Sequence, residues 1–172
     1  GRSASGKTSI MNCVWRMCKL TTGSIRVNSK QINEISLDSL RKNVLCVVPQ
    51  HPVLLEGTIR ECIDPHLSYS DSQILNVMKV VQLGHMDIHF QVESSGKNIS
   101  VGTRQLLSLA RILLHKLQHP NNQFILFLDE ATAFVDHPTV VLIQSLLTDY
   151  FSDCTVVVIS HSLEYVLSFC DS

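Results

Sequence analysis

Three short runs of unbroken apolarity punctuate the chain: Val44–Val48 (VLCVV), Phe124–Leu128 (FILFL) and Thr155–Ile159 (TVVVI). Continuous apolarity with β-branched content predicts strands covered on both faces, hence a parallel sheet flanked by helices. The segments between them carry helical spacing. Thr8–Lys19 is one such segment, and Asp71–Gln82, with Ile74, Val77, Val80 and Val81, is a second. Thr103–Gln118 is a third, with Leu106, Leu107, Leu109, Ala110, Leu113 and Leu114. Asp136–Tyr150 opens on an acidic residue suited to capping and has Pro138 in its first turn. The order is α/β, and the helix-rich middle from about Gly57 to Gln118 is the candidate for a second lobe.

The polar residues that carry chemistry fall at the ends of these elements. Gly1-Arg2-Ser3-Ala4-Ser5-Gly6-Lys7-Thr8 fits the phosphate-binding pattern GxxxxGK[ST] and runs into a predicted helix. Backbone N–H groups from Ser3 to Thr8 can ring a phosphate, helped by the positive end of that helix. Gly6 permits close approach of the backbone, Lys7 adds a point charge and Thr8 offers a hydroxyl to Mg²⁺. At the other end of the chain, Phe124–Leu128 delivers Asp129 and Glu130 to a buried sheet edge, where ligands of open α/β sheets bind. Adjacent anions there repel unless a cation compensates. Asp129 is then suited to hold Mg²⁺ and Glu130 to face an attacking water. A helix cap would explain one of these carboxylates but not both. Loop and acidic strand end together predict a P-loop nucleotide hydrolase.

Composition narrows the partners. Among 172 residues, Lys plus Arg number 14 and Asp plus Glu 15, a net charge of −1. No long charge run is present, so no nucleic-acid partner is expected. Cys13, Cys18, Cys46, Cys62, Cys154 and Cys170 form no CxxC pair and lie in apolar stretches, which predicts buried free thiols. The pairs His85/His89 and His115/His119 have helical spacing but no third ligand nearby in sequence. No apolar run approaches the ~18 residues of a membrane span, so direct membrane insertion of this segment is not expected. The chain opens inside a motif without an initiator Met, which predicts a piece of a longer polypeptide.

Further motifs specify the family. Ile99-Ser100-Val101-Gly102-Thr103-Arg104-Gln105-Leu106 resembles the signature of ABC-type nucleotide-binding domains. Val47-Val48-Pro49-Gln50 resembles their Q-loop, Ala131-Thr132-Ala133-Phe134-Val135-Asp136 their D-loop, and Val158-Ile159-Ser160-His161 their switch-histidine strand. Taken singly, Gln50 reads as a polar strand end, His161 as a satisfied histidine, and Asp136 and Ser100 as helix caps. The ordered set covers nearly the whole chain. Pro52–Arg60, Ile63-Asp64-Pro65, Tyr69-Ser70-Asp71, Asn98–Gly102 and Asp153–Val156 are similar to the second nucleotide-binding domain of the multidrug-resistance-associated (C) subfamily.

That resemblance implies one ABC-type domain over residues 1–172, a P-loop NTPase core with a mostly parallel sheet and a helical signature subdomain at about 57–118. The first strand and the adenine-stacking aromatic would lie upstream of Gly1. It implies ATP and Mg²⁺ as ligands. Gly1, Ser3, Ala4, Ser5, Gly6, Lys7 and Thr8 would hold the phosphates, and Thr8, Gln50 and Asp129 the metal. Glu130, His161 and Gln50 would serve catalysis. A second nucleotide-binding domain would pair head to tail, with Ser100 and Gly102 against its nucleotide and Asp136 at the seam. Transmembrane domains would be driven from the cytosolic face of a membrane. The implied activity is transport-coupled ATP hydrolysis for export. The alternative is a regulatory module gating a channel or partner subunit with little hydrolysis. The Thr8–Asn98 interval shows no heptads of a DNA-repair ABC ATPase, and no Asn-Lys-x-Asp motif of a GTPase occurs.

Three positions depart from the pattern. Ala4 stands where the family has Gly, and at φ > 0 it would cost on the order of 1 kcal/mol. Thr103 replaces the signature Gln, and Ile99 the leucine. The isolated chain is expected to fold incompletely and to bind ATP poorly.

Overall fold

Helix α1 (Lys7–Val14) starts from Gly6, whose φ of 87° gives the left-handed entry that glycine takes without strain. The computed structural model describes residues 6–120, 122 and 124–161, so Gly1, Ser3, Ala4 and Ser5 lie outside the described residues. Strands β1 (Arg26–Val27) and β2 (Lys30–Gln31) follow as an antiparallel hairpin. Its turn residues Asn28 and Ser29 both have positive φ, 49° and 67°, which matches the twist of a tight hairpin. Helix α2 (Leu37–Ser39), capped by the Ser36 hydroxyl, continues through a π-helical turn over Leu40–Val44 into β3 (Leu45–Val48).

The middle of the chain is helical. Strand β4 (Gly57–Thr58) pairs antiparallel with β5 (Gln91–Val92), bracketing α3 (Ile59–Ile63) and α4 (Asp71–Val80). Thr58 and Ser70 open α3 and α4 with capping boxes closed by Glu61 and Gln73. Helix α5 (Val101–Gln118) then packs on α3 and α4, burying Leu106, Leu107, Leu109, Ala110, Ile112, Leu113 and Leu114. Strand β6 (Ile125–Asp129), helix α6 (His137–Phe151) and strand β7 (Thr155–Ile159) complete the order.

The main sheet runs β3-β6-β7, all parallel, as the apolar runs predict. Both faces are covered at the middle strand β6, whereas β7 leaves Thr155 and Val157 exposed on one face among the described residues, contrary to the expectation for that run. Leu126 and Leu128 join the larger core with α3, α4, α5 and α6, while Phe127 turns to a smaller core of Val27, Ile32, Leu40 and Leu45. The register matters most for function. Val48 pairs with Leu128, Leu128 with Val158, and Asp129 with Ile159, so the three strands end level with one another. Whatever follows each strand therefore emerges at a common edge.

Two expectations are corrected. Helix α1 stops at Val14 rather than reaching Lys19, because the chain turns at Arg16, with φ of 52°. The Arg16 guanidinium donates to the carbonyls of Ile35 (2.8 Å) and Ile32 (3.4 Å), and Arg41 donates to the Trp15 carbonyl (3.0 Å). Only the Trp15 carbonyl would have been taken up by a longer helix; the Arg16 bonds tie the turn to the segment around Ile32 and Ile35. The thiols are not uniformly buried either. Cys62 is buried and Cys13, Cys46 and Cys154 are half-buried, but Cys18, just beyond α1, is exposed. All five are free, and Cys170 lies outside the described residues.

Candidate nucleotide site

The level strand ends bring Gln50 and His161 onto the Glu130 carboxylate. Gln50 Nε2 donates to Glu130 Oε2 at 3.2 Å, and His161 Nε2 lies 2.7 Å from Glu130 Oε1. The Glu130 side chain is 17% exposed, so its negative charge is held close to the protein, while His161 at 56% faces solvent. The backbone of Glu130 is left-handed, φ 48°, a conformation that costs a non-glycine residue on the order of 1 kcal/mol. The Glu130 N–H bond to the Ile159 carbonyl, 2.8 Å, holds that turn in place. Strain of this kind aims the side chain across the strand ends instead of along the sheet.

Asp129, one residue earlier, sits at the end of β6. Burial first, and then the neighbouring Glu130 charge, raise its carboxyl above the ordinary range, while Lys7 pulls it down. Lys7 of the phosphate loop is thus within electrostatic reach of the acidic strand end. Among the described residues, the two adjacent carboxylates face the Lys7 ammonium and the His161 imidazole. Oxygen donors from Thr8, Asp129 and Gln50 are the hard ligands that Mg²⁺ takes, with few protein ligands and several waters or phosphate oxygens. The residues present therefore fit a Mg²⁺-nucleotide. Among the described residues no group of three or more His, Cys, Asp or Glu could hold a metal by itself.

The signature residues form a second group. Ser100 caps α5, its hydroxyl accepting from Thr103 N (3.0 Å) and bonding the Thr103 hydroxyl (2.9 Å). Asp136 caps α6, accepting from Thr139 N at 3.3 Å and from the Thr139 hydroxyl at 2.9 Å. That hydroxyl bond, the largest influence, holds the Asp136 carboxyl below the ordinary range. The capping roles of Ser100 and Asp136 are thus real, and neither prevents a ligand contact. Gly102 lies where a side chain would press on Asp136 and Thr139. Two contacts escape a reading of motifs alone. His51 stacks on Phe134, ring centroids 5.5 Å apart and planes 14° apart, joining the segment after Gln50 to the one after Glu130. Gln105 Nε2 donates to the carbonyls of Pro49 and Gln50 at 3.0 and 3.1 Å. The available signal was a lone amide on the buried stripe of α5.

A phosphate-loop helix, a parallel sheet and paired carboxylates ending its middle strand define an α/β domain of the P-loop NTPase class. Comparison with known proteins is more specific. Residues 1–133 match the ABC transporter family. Multidrug resistance protein mrp-7 of Caenorhabditis elegans is 37% identical over 98% of this chain and 11% of its own length. ATP-binding cassette sub-family C member 2 of Homo sapiens is 37% identical over 97% of this chain, again 11% of its own length. The solved structure of a bacterial Atm1-family ABC exporter with ATP bound superposes with a TM-score of 0.83 at 26% identity, covering 96% of this chain and 29% of that one. The chain belongs to the ABC transporter family, whose nucleotide-binding domains bind ATP and are the ATPases of transporters. It spans 11% of the length of each of these two curated relatives. No helix among the described residues is long and apolar enough to cross a membrane.

Proposed function

We propose that this chain hydrolyses Mg²⁺-ATP to drive export through transmembrane domains of a multidrug-resistance-associated transporter, in the place of its second nucleotide-binding domain. The observation that carries the reading is the Glu130 carboxylate, held between Gln50 and His161 at the level ends of three parallel strands. The relatives in the C subfamily support the transporter type.

In this reading the backbone of Gly1, Ser3, Ala4, Ser5 and Gly6 wraps the phosphates, with Lys7 neutralising charge. Thr8, Asp129 and Gln50 hold the metal, which when bound offsets the phosphate charge. Glu130 accepts the proton of the attacking water on a carboxylate oxygen, each oxygen keeping a lone pair beyond the bond it already accepts. Gln50 orients that water through its amide, and His161 stabilises charge that develops on the γ-phosphate. Ser100 and Gly102, at the positive end of α5, face the nucleotide of a second domain paired head to tail, and Asp136 lies at the seam. The site then sits on the cytosolic face of the membrane. The test is Mg²⁺-dependent phosphate release by the purified full-length protein together with binding of a fluorescent ATP analogue. Lys7→Ala should abolish phosphate release and remove the analogue bound at this site, leaving that of the second domain. Release that persists in Lys7→Ala at the wild-type rate refutes the assignment.

A further inference from the structure

Gln105 is 1% exposed, among the mostly aliphatic buried residues of α5, with Gly102, Leu109 and Ile112 along its own face. Its amide nitrogen spends both protons on main-chain carbonyls that are distant in sequence, Pro49 at 3.0 Å and Gln50 at 3.1 Å. Its amide oxygen is buried without a hydrogen-bond partner. The reverse orientation of the amide would aim that oxygen at two carbonyl oxygens, so the donors are fixed where they are. A buried orphan acceptor destabilises a fold, and an apolar side chain on this stripe would avoid it. The amide accepts one orphan oxygen in exchange for two bonds that hold the Pro49–Gln50 segment against α5.

Those bonds join two places that act on different nucleotides. Helix α5 begins at Ser100 and Gly102, whose first turn packs on Asp136 and Thr139 at the start of α6. Gln105 lies on the same rigid rod and grips the segment that presents Gln50. Gln50 in turn donates to Glu130. We propose that Gln105 is a positioning residue that couples the signature end of α5 to the Gln50 segment. Seating Ser100 and Gly102 on a partner's nucleotide is thereby transmitted to Gln50 and the water-facing carboxylate of this chain's own site. The inference rests on the functional reading given above, and it assigns Gln105 no contact with substrate.

The experiment uses the full-length protein in membrane vesicles and measures kcat and KM for ATP across a pH series. Gln105→Met keeps the volume and removes both donors. Its kcat should fall about tenfold, the worth of the two neutral hydrogen bonds, with KM within about twofold of wild type. Gln105→Glu supplies the readout that a merely structural role would not move. Ionised, its carboxylate faces two carbonyl oxygens; protonated, it restores one donor, and burial raises the pH at which that happens. Its kcat relative to wild type should therefore climb as pH falls. A wild-type kcat in Gln105→Met overturns the proposal. So does a fixed ratio of Gln105→Glu to wild type at every pH. Wild-type protein that binds no ATP would instead sink the functional reading, and the coupling with it.

Discussion

Replacing Gly102 by alanine should silence the site while leaving the fold standing. A Cβ there would meet Thr139 Oγ1 at 3.3 Å, Asp136 Oδ1 at 3.4 Å and Thr139 Cγ2 at 3.4 Å. These contacts are tight but short of a clash, and a few tenths of an ångström of movement at the exposed start of α6 relieves them. Alanine also gains up to about 1 kcal/mol over glycine in a helix, less in a first turn. Crowding and propensity oppose each other, so net stability should move by less than about 1 kcal/mol. Function responds differently. The new methyl sits in the first turn of α5, among the N–H groups proposed to meet a partner's γ-phosphate. Alanine keeps its backbone N–H, so the loss comes from the methyl displacing these N–H groups from the phosphate, and one preorganised donor lost in this way costs about 10²–10³ in turnover. The assay is phosphate release at saturating ATP by the full-length protein, alongside its thermal unfolding midpoint. Turnover should fall at least about 100-fold with a nearly unchanged midpoint. Turnover within about twofold of wild type would refute the assignment of Gly102 to a shared site, since a bystander glycine tolerates this change.

Two further predictions concern the scaffold and the thiols. Lys116, 9% exposed, holds Asp153 at 2.6 and 2.8 Å, but Asp153 is 63% exposed. Discounted for solvent screening, Asp153→Ala should cost about 1–2 kcal/mol, read from the unfolding midpoint at pH 7. The Lys116 hydrogen bond holds the Asp153 carboxyl below its ordinary range, so this stability is complete above that range and is lost as pH falls through the lowered folded value. A gap between wild type and Asp153→Ala that persists in strong acid contradicts that origin. Burial, with a smaller contribution from Cys154, pushes the Cys46 thiol up to about 12, whereas Cys18 is exposed. At about pH 8 a thiol-alkylating reagent should modify Cys18 and spare Cys46 in the native protein, as read by peptide mass spectrometry.

The strand runs and the signature helix were legible because their chemistry is local. Unbroken apolarity over Phe124–Leu128 demands cover on both faces, and β6 receives it from two cores. The partners of each strand end were legible too, because parallel strands in register deliver Gln50, Glu130 and His161 to one edge. What escaped depends on contacts between distant residues. The early end of α1 is set by Arg16 and Arg41 reaching main-chain carbonyls, which no local propensity encodes. The pairing of Gly57–Thr58 with Gln91–Val92 spans two helices. The β1–β2 turn uses Asn28-Ser29, a weaker hairpin signal than Asn-Gly. Gln105 stood in plain view inside a recognised motif, yet its partners at Pro49 and Gln50 are visible only once α5 packs beside β3.

Glu130, held by Gln50 and His161, is the residue through which ATP hydrolysis is proposed to run. The most direct measurement compares ATP occupancy and turnover in the full-length protein carrying Glu130→Gln. Occupancy should match that of wild type while turnover falls by about 10²–10⁴, the contribution of a positioned general base. Turnover within about tenfold of wild type, with ATP bound normally, would contradict it and move the chemistry away from this carboxylate.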